Sequence, residues 1–306
     1  MWAECDLTTF FFTLLPTSEE KYWSGKVVWI TGASSGIGAA LAKRLARFQC
    51  RLILSARRKQ LLDSLKAHCL EQNGRLSKGD IEVLPLDLED LASLPSKARS
   101  AFDAFARIDV VVHNAGRSQR ADWQGVEWEV DLDCFRLNAL APAVLTRALL
   151  PLVEGQRGGV QFVVMSSIAG LFPAPASPSY TAAKHALNGY FRTLWLECSG
   201  SDGVRVSLLC PGSVYAPNNP ASAFTGRPGE EHGEVVAERK AVQLLPDSVA
   251  YYASMTAVHG LAEVWLSGRR QLLGLVALHL IQPGVARRLM HLLGIDKLRR
   301  LREGRQ

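Results

Sequence analysis

The sequence predicts an α/β fold in which helices cover both faces of a doubly wound parallel sheet. Segments with strand and helix patterns alternate over about 240 of the 306 residues, and no repeat or linker interrupts them. Strand segments such as Val110–Val112 are continuously apolar, as strands buried on both faces are. Because parallel strands are joined through crossover helices, this alternation indicates one right-handed layered domain.

The elements follow one another within a core domain at 25–268, between an irregular arm at 1–24 and an extension at 269–306. Apolar and β-branched runs predict strands at 26–31, 51–55, 81–84, 109–112, 160–164, 204–209 and 263–267. Apolar residues at helical spacing predict helices at 36–48, 59–72, 96–106, 132–152, 180–198 and 248–259. Residues 213–245 are rich in proline, glycine and charge, which predicts a long loop or lid.

Charge and cysteine content exclude several classes of protein. From Arg269 onward the sequence has nine Lys and Arg and two acidic residues, Asp296 and Glu303, so the extension has a net charge of +7. The whole chain has a net charge of +6, so residues 1–268 sum to −1. The core has no basic and aromatic patch that would indicate a nucleic acid partner. Six scattered cysteines without a Cys-x-x-Cys pair argue against a metal site and a disulfide framework, and favour a reducing environment.

The N-terminal arm contains an apolar run, Leu7–Leu15, that Pro16 ends. The run is too short to span a bilayer. Glu4 and Asp6 precede it and no Lys or Arg does, which is the wrong flank for a secretory signal.

A glycine-rich turn, Thr31–Gly38, joins the first strand to the first helix. Such a turn presents backbone N–H groups and the positive end of a helix dipole to an anion. Gly32 can take the turn, Gly36 lets a pyrophosphate approach, and Gly38 lets helix and strand pack closely. The spacing, Gly-x-x-x-Gly-x-Gly, fits either a dinucleotide site or a plain structural loop.

Tyr180 and Lys184 lie four residues apart on a predicted helix and therefore share a face. A free tyrosine has a pKa of about 10, and a nearby ammonium lowers that pKa because it favours the phenolate. A tyrosine tuned in this way exchanges a proton with an alcohol or a carbonyl. The alternative is an ordinary surface pair.

Ser167 lies at the carboxyl end of the fifth predicted strand. In open α/β sheets ligands bind at that edge, so the hydroxyl can orient a substrate oxygen. The neighbouring Ser166 competes for this role, and a serine at a strand end can also serve only as a cap.

Asn138 interrupts the apolar pattern of the helix at 132–152. Pro142, four residues later, has no N–H to donate to the Asn138 carbonyl. We therefore predict a kinked helix whose free carbonyl holds a water of a proton relay beneath Lys184. The alternative is a solvated asparagine on an unkinked helix.

Taken together on this glycine turn, these residues resemble the short-chain dehydrogenase/reductase family, classical type, over about residues 25–268. The resemblance implies a Rossmann fold. Thr31–Gly38 matches the family's cofactor turn, Asn114–Gly116 the motif after the fourth strand, and Pro211–Gly212 the motif after the sixth. The catalytic tetrad of the family matches Asn138, Ser167, Tyr180 and Lys184.

The resemblance implies a role for each member of the tetrad. Tyr180 is the general acid/base, and Ser167 holds the carbonyl oxygen. Lys184 binds the nicotinamide ribose and tunes Tyr180, while Asn138 supports the water relay. Asp87 meets the adenine amine.

Two residues depart from the family pattern. His113 stands where the family usually has an asparagine, which affects a strand contact and not the chemistry. Ala216 stands where many members have a threonine that contacts the nicotinamide carboxamide, so the backbone at Val214 would carry more of that contact.

The end of the second strand favours NADP(H) over NAD(H). An NAD enzyme would place a carboxylate there to bind the ribose hydroxyls, whereas this chain has Arg57 and Arg58. Two guanidiniums suit a 2′-phosphate, and the alternative is a solvated helix start. The expected cofactor-binding residues are Gly32, Ser34, Ser35, Gly36, Ile37, Gly38, Arg57, Arg58, Asp87, Leu88, Asn114, Ala115, Gly116, Tyr180, Lys184, Pro211, Gly212 and Val214.

The expected substrate wall is largely apolar, so it suits a hydrophobic ketone, aldehyde or alcohol. Its residues are Ser167, Leu171, Phe172, Pro173, Tyr180, Tyr215 and Phe224. Within the family, several stretches are similar to the dehydrogenase/reductase SDR family member 7 group, namely VVWITGASSGIG, LILSARR, VLPLDLED, AAKHALNGYF and EVWLSGRRQLL. That similarity implies retinoid, steroid or xenobiotic carbonyls and association with the endoplasmic reticulum membrane through an N-terminal anchor. Without an anchor, the alternative is a cytoplasmic location.

The extension contains an apolar run, Leu272–Ile281, and then a basic amphipathic segment from Val285 to Leu292. Ten residues cannot span a bilayer as a helix, but an apolar stripe beside arginines can lie in a membrane interface. A helix folded over the substrate lid and a dimer contact are the alternatives. The family resemblance separately implies a homodimer through the helices at 132–152 and 180–198.

Two functions follow from these patterns. The first is an NADP(H)-dependent oxidoreductase that reduces a hydrophobic carbonyl or oxidises the alcohol. The second is a catalytically silent NADP(H)-binding regulator, which the same fold would allow. The complete tetrad favours the enzyme, and a membrane scaffold driven by the extension is a weaker third.

Overall fold

A computed structural model describes residues 4–198, 203–215, 222–233, 238–240 and 242–294 of the protein. The strands in this part of the chain are β1 (Val27–Thr31), β2 (Arg51–Ser55), β3 (Ile81–Val83), β4 (Val110–His113), β5 (Val160–Met165), β6 (Val204–Pro211) and β7 (Glu263–Leu266). They form one parallel sheet in the order β3-β2-β1-β4-β5-β6-β7. This confirms the predicted fold.

Helices connect the strands and cover both faces of the sheet. They are α1 (Leu7–Thr13), α2 (Glu19–Trp23), α3 (Gly36–Ala46), α4 (Lys59–Gln72), α5 (Leu94–Asp103), α6 (Trp128–Phe135), α7 (Ala141–Val153), α8 (Pro178–Glu197), α9 (Pro246–His259), α10 (Arg270–Ile281) and α11 (Pro283–Leu293). Along β1, Val27 and Trp29 join the core under α5–α8, while Val28 and Ile30 join the core under α3, α4 and α9. Alternating side chains thus feed two cores, one on each face.

The strand order reverses between β1 and β4. Crossovers leave these two strands in opposite directions, which opens a crevice at their carboxyl ends where ligands bind in folds of this class. Val28 pairs with Val110 and Ile30 with Val112, so Thr31 and Asn114 come out at the same edge. The predicted glycine turn therefore lies at the topological switch point.

Predicted and observed strands agree to within two residues at every boundary. β4 begins one residue later than predicted. Asp109 precedes it, and its carboxylate accepts a hydrogen bond from Val27 N at 2.9 Å and pairs with Arg107 at 2.6 Å.

The prediction of an irregular arm at 1–24 is wrong for its described residues, which form α1 and α2. The Asp6 carboxylate caps α1 by accepting a hydrogen bond from Thr9 N at 2.9 Å. Trp23 in α2 is buried, and its indole N–H donates to Ser254 Oγ of α9 at 2.8 Å. Two such short helices need these contacts, because helices of this length are not stable alone.

The arm also runs along the outer edge of β7. Asp6 N donates to Trp265 O at 3.0 Å, and Ser267 N donates to Glu4 O at 2.7 Å. The Asp6 carboxylate also accepts a hydrogen bond from Trp265 N at 2.8 Å. These backbone contacts join the start of the chain to the last strand of the sheet.

The helix predicted at 132–152 begins earlier, at Trp128, and contains a π turn at Arg136–Leu140 between α6 and α7. Within it, Ala141 N donates to Arg136 O, five residues back. The helix is therefore irregular where Asn138 and Pro142 predict a kink. Asn138 is fully buried, so the alternative of a solvated asparagine is wrong.

Candidate active site

The glycine turn is pressed against the chain that follows β4. Gly32 has a φ of +68°, and a Cβ there would lie 2.8 Å from Ala115 Cα. A Cβ on Gly38 would lie 2.4 Å from the Gly32 carbonyl oxygen. The turn therefore requires glycine at both positions.

The first turn of α3 leaves room for an anion. Gly36 has a φ of +55°, and a Cβ on it would meet no atom of the described chain within 4 Å. The N-cap residue, Ser35, makes no side-chain capping hydrogen bond within the described residues. Open space at a helix N-terminus, approached by glycine backbone, fits the pyrophosphate of a dinucleotide.

Asn114 ties the end of β4 to the turn. Its amide nitrogen Nδ2 donates to Thr31 O at 3.0 Å and to Gly32 O at 3.2 Å. Its backbone N donates to Thr31 Oγ1 at 3.1 Å. These bonds hold the two strands of the switch point in one arrangement.

The two arginines after β2 have different partners. Arg58 Nη2 donates to Ser34 Oγ at 3.2 Å, which joins the end of β2 to the glycine turn. Arg57 Nη1 lies 3.5 Å from Glu89 Oε2, and its side chain is about half exposed. The Arg58 guanidinium therefore lies beside the glycine turn, and the Arg57 guanidinium is open to solvent.

The chain after β3 supplies the other expected cofactor residues. Asp87 is exposed, and its carboxylate accepts a hydrogen bond from Glu89 N at 3.0 Å. The Leu88 side chain is buried in the core, so only its backbone is available to a cofactor.

Lys184 holds a buried amine at the end of β5. Its side chain lies on α8, is 3% exposed, and donates from Nζ to Met165 O at 2.8 Å. Burial lowers the pKa of Lys184 to about 8, and the nearby thiols of Cys134 and Cys210 oppose that shift only in part. At neutral pH the amine is still mostly protonated.

Tyr180 lies one helical turn before Lys184, as the spacing predicts. Lys184 Nζ is 5.7 Å from the centroid of the Tyr180 ring. The tyrosine is partly exposed whereas the lysine is buried. A buried cation this close to a phenol ring favours negative charge on the phenol oxygen.

The Asn138 carboxamide lies between the chain after β4 and the lysine. Its Oδ1 accepts from Arg117 N at 3.1 Å, and its Nδ2 donates to Arg117 O and to Cys134 O, both at 3.0 Å. A Cβ on Gly116 would lie 2.7 Å from Asn138 Oδ1 and 3.5 Å from Lys184 Nζ. Gly116, Asn138 and Lys184 therefore meet at one place.

Ser167 follows β5 and has the two contacts of a cap. Its Oγ accepts from Ala169 N at 3.1 Å and donates to Pro211 O at 3.3 Å. It lies two residues after Met165, whose carbonyl Lys184 contacts. The hydroxyl thus caps a turn at the same strand end that holds the lysine.

Directly after Pro211, the last residue of β6, the chain is hydrogen-bonded to β7. Gly212 N donates to Leu266 O at 2.8 Å, and Val214 forms an isolated bridge with Leu244. Ala216, where the family pattern differs, lies outside the described residues.

The expected substrate wall packs against the extension. Leu171 and Phe172 are buried, and the Phe172 ring meets His279 of α10 edge-on, with 5.4 Å between centroids. Leu273 and Val276 of α10 are buried in the same core cluster. α10 is therefore folded onto the domain beside Phe172, while coverage of the lid, a membrane contact and a dimer contact stay predictions.

Two more wall residues lie after β6. Phe224 is buried, and the Arg117 guanidinium carbon lies 4.0 Å from its ring centroid. Tyr215 is partly exposed, and its backbone N donates to Leu244 O at 2.9 Å. Pro173 is exposed.

Arg117 and Glu89 belong to this region, and the sequence patterns did not indicate them. A charge directly after Asn114–Gly116 was the available signal for Arg117. Glu89 had a weaker signal, its position two residues after Asp87. The Met165 carbonyl had none, because every residue carries one.

The sequence model of the family described as short chain dehydrogenase matches residues 26–223. The chain belongs to the short-chain dehydrogenase/reductase family. Dehydrogenase/reductase SDR family member 7 from Homo sapiens is 37% identical over 272 residues, 87% of this chain and 77% of the relative. Dehydrogenase/reductase SDR family protein 7-like from Drosophila melanogaster is 36% identical over 74% of this chain and 68% of the relative. The predicted resemblance is confirmed.

Solved structures of this family share the fold. A short-chain dehydrogenase from Streptomyces avermitilis superimposes with a TM-score of 0.71 at 26% identity, over 90% of this chain and 98% of that one. An alcohol dehydrogenase from Thermococcus sibiricus, complexed with 5-hydroxy-NADP, gives 0.67 at 25% identity over 80% and 97%. This short-chain dehydrogenase/reductase is therefore an oxidoreductase by family.

Proposed function

We propose that this short-chain dehydrogenase/reductase uses NADP(H) to reduce the carbonyl of a hydrophobic substrate, or to oxidise the corresponding alcohol. One observation carries the proposal. The buried Lys184 amine lies behind the partly exposed Tyr180 ring, and Gly116 brings Asn138 to the same amine. This is an arrangement for moving a proton, and the glycine turn lies at the adjoining strand end.

The site would hold NADPH along the glycine turn, and the cofactor's chemistry there would be transfer of a hydride to the carbonyl carbon. The residues of the chain deal with the oxygen. The Tyr180 hydroxyl donates its proton to the carbonyl oxygen as negative charge develops there, and Ser167 Oγ orients that oxygen. The Lys184 ammonium stabilises the resulting Tyr180 phenolate until a proton returns, and the Asn138 carboxamide fixes the backbone beside that lysine.

The preference for NADP(H) rests on Arg57 and Arg58. Arg58 already reaches Ser34 in the glycine turn, and two guanidiniums offer paired N–H donors to a phosphate. Glu89 is the carboxylate nearest to Arg57, at 3.5 Å. It can hold Arg57 in place until a 2′-phosphate competes for the same guanidinium.

Replacing both arginines, Arg57→Gln with Arg58→Gln, is expected to remove the preference. The KM for NADPH should rise about 10²- to 10⁴-fold, since two hydrogen bonds to a charged group are lost and each is worth about 1.5–3 kcal/mol. The KM for NADH should stay unchanged. Initial rates measured at 340 nm on the native chain and the variant give both values.

Arg99→Gln on α5, an exposed arginine paired with Asp103 on its own helix, is the matched control for lost charge. Native turnover that favours NADH would contradict the cofactor proposal. An equal loss for both cofactors in the double variant would show that the arginines act on the fold and not on the phosphate.

The substrate class follows from the apolar side of the site. Leu171, Phe172 and Phe224 are buried there with α10 beside them, so an aromatic or aliphatic carbonyl is favoured over a sugar. A panel of retinals, steroid ketones and aromatic diketones, assayed with NADPH, tests the class. Turnover of none of them, with tight NADPH binding, would instead favour the silent regulator.

We also propose that the extension touches a membrane surface, as expected for an enzyme at the endoplasmic reticulum. On α11, Val285, Leu289 and Leu292 share one exposed face, and Arg287 and Arg288 lie beside them. An apolar stripe flanked by arginines matches the headgroup region of an anionic bilayer. A cytoplasmic enzyme without this contact is the alternative.

Among the described helices, the stretch Trp128–Val153 is long and apolar enough to cross a bilayer by length and composition alone. Of its most apolar window, 56% is buried inside the domain. It is the helix that carries Asn138, so the membrane proposal rests on α11 and not on this stretch.

Flotation with vesicles of phosphatidylcholine and phosphatidylserine tests the membrane contact. The native chain should float with these vesicles and not with phosphatidylcholine alone. Arg287→Glu with Arg288→Glu should lower the bound fraction at least about tenfold, at about 1 kcal/mol for each charge near the surface. The control is Arg75→Glu with Arg99→Glu, which makes the same charge change at exposed sites outside the extension and should float like the native protein. No flotation of the native chain would contradict the proposal.

The homodimer is a further part of the proposal. α7 and α8 lie side by side, and Arg147 of α7 sits 5.4 Å from the Tyr190 ring centroid of α8. Tyr190 and Trp195 are exposed on α8, and apolar area of this kind supports contact with a second copy.

A further inference from the structure

The segment 222–233 is attached edge to edge to the chain that follows β4. Phe224 N donates to Ser118 O and Arg120 N donates to Phe224 O, both at 2.8 Å. Phe224 also forms an isolated bridge with Gln119. The segment therefore lies beside residues 117–120, which continue directly from Gly116.

The Arg117 side chain fastens this segment at several points. Its Nε donates to Ser222 O at 2.6 Å, and its Nη2 donates to Glu231 Oε1 at 3.0 Å. Its guanidinium covers the Phe224 ring, and Nη1 lies 3.8 Å from Glu89 Oε1. The Arg117 side chain is only 14% exposed, so its contacts to Ser222 O and to the Phe224 ring are largely shielded from water, whereas Glu231 is 53% exposed.

The Arg117 backbone is occupied at the same time by Asn138. The carboxamide accepts from Arg117 N and donates to Arg117 O, so both of its polar ends are used on one residue. Any displacement of residue 117 must therefore move or release the carboxamide. Gly116 precedes residue 117 directly, and a Cβ on it would lie 3.5 Å from Lys184 Nζ, so a displacement of residue 117 would reach the lysine through Gly116.

We propose that Arg117 is a positioning residue that couples the segment 222–233 to Asn138 and, through Gly116, to Lys184. The Arg117 side chain moves with the segment, and the Arg117 backbone fixes the position of the Asn138 carboxamide. Its role in substrate capture rests on the function proposed above, whereas the coupling itself needs neither cofactor nor substrate. Closing the segment over the site and ordering the proton path then become one event.

Amide hydrogen exchange of the free protein, followed by mass spectrometry, tests the coupling. In Arg117→Met, exchange in peptides within 222–233 should rise about tenfold, because hydrogen bonds to a charged side chain are lost. Arg117→Lys should show part of that rise, since an ammonium cannot reach Ser222 O and Glu231 together in fork geometry. Arg227→Met, in the same segment, is the matched control, because the Arg227 side chain is exposed and its ion pair within the described residues is the local one with Glu230.

The decisive variant is Asn138→Ala, which leaves every side chain of the segment unchanged. If the coupling holds, exchange in 222–233 rises here as well, because the backbone of Arg117 is released. Unchanged exchange in 222–233 for Asn138→Ala would overturn the coupling. So would an Arg117→Met effect no larger than that of Arg227→Met. Glu231→Gln replaces Arg117→Met if the latter fails to fold, with a smaller rise expected and no rise contradicting the proposal.

Kinetics separate this inference from the proposed function. With any carbonyl that the native chain reduces, Arg117→Met should raise the KM for that carbonyl about tenfold while NADPH binding, followed by fluorescence, stays unchanged. A fall in NADPH affinity without a change in KM would instead place Arg117 in the cofactor site and overturn the proposal. Failure of all turnover would count against the proposed function alone, since the exchange result stands without it.

Discussion

Tyr180→Phe is expected to lower kcat for carbonyl reduction by about 10²- to 10⁴-fold, the range by which a positioned acid or base accelerates a reaction. The substitution keeps the ring and removes only the hydroxyl that we propose as the proton donor. NADPH affinity and thermal stability should change little, because the ring stays 5.7 Å from the Lys184 amine. Steady-state rates, fluorescence titration and a melting curve on one preparation measure all three.

Tyr190→Phe is the matched control, because Tyr190 lies on the same helix and is exposed. It should keep native rates. A Tyr180→Phe variant that retained native kcat would show that another group protonates the carbonyl oxygen, and the proton path through Tyr180 and Lys184 would then be wrong.

His113→Asn is expected to flatten the dependence of stability on acid pH. The imidazole is buried and stacks on Phe162 with 5.9 Å between centroids, and its Nε2 lies 2.8 Å from Thr146 Oγ1. Burial lowers the pKa of His113 from its ordinary 6.5 to about 3. Between these two values the unfolded chain binds a proton that the folded chain does not.

This difference in bound protons means that the free energy of unfolding falls as the pH is lowered. The contribution of neutral His113 is complete above pH 6.5, and stability is lost as the pH falls below it, at about 1.4 kcal/mol for each pH unit. We therefore measure the free energy of unfolding in urea at pH 6.5, 5.5 and 4.5. Its slope against pH should be lower in His113→Asn than in the native chain by about 1.4 kcal/mol for each pH unit. The comparison of slopes is independent of any loss of packing at pH 7.

His185→Asn, which removes an exposed histidine of α8, is the control and should keep the native slope. Equal slopes for the native chain and His113→Asn would show that the imidazole takes up a proton in the folded state.

Periodicity predicted the sheet because its central strands, such as β1, β4 and β5, are buried on both faces and the crossover helices show apolar residues at helical spacing. Val110–Val112 and the strand before Gly32 could be read in this way without any partner. The glycines of the turn could be recognised because the turn permits no other residue at Gly32 and Gly38, where a Cβ would lie less than 3 Å from a backbone atom. Tyr180 and Lys184 followed from one helical turn.

Features that depend on distant partners could not be predicted. α1 and α2 are too short to form from their own residues and rely on Trp265 and Ser254, more than 200 positions away. Arg117 meets Ser222 and Glu231 across 105 and 114 positions. No local pattern carries such a pairing, so only the folded chain reveals the role of that arginine.

The attachment of the arm to β7 has a consequence for the solution behaviour of the protein. β7 ends the sheet, and an uncovered last strand offers a row of N–H and C=O groups on which a strand of another molecule can assemble. Glu4 and Asp6 already occupy part of that row. Residues 4–6 therefore limit growth of the sheet from one molecule into the next, and this protection against aggregation comes from a segment far in sequence from the strand that it covers.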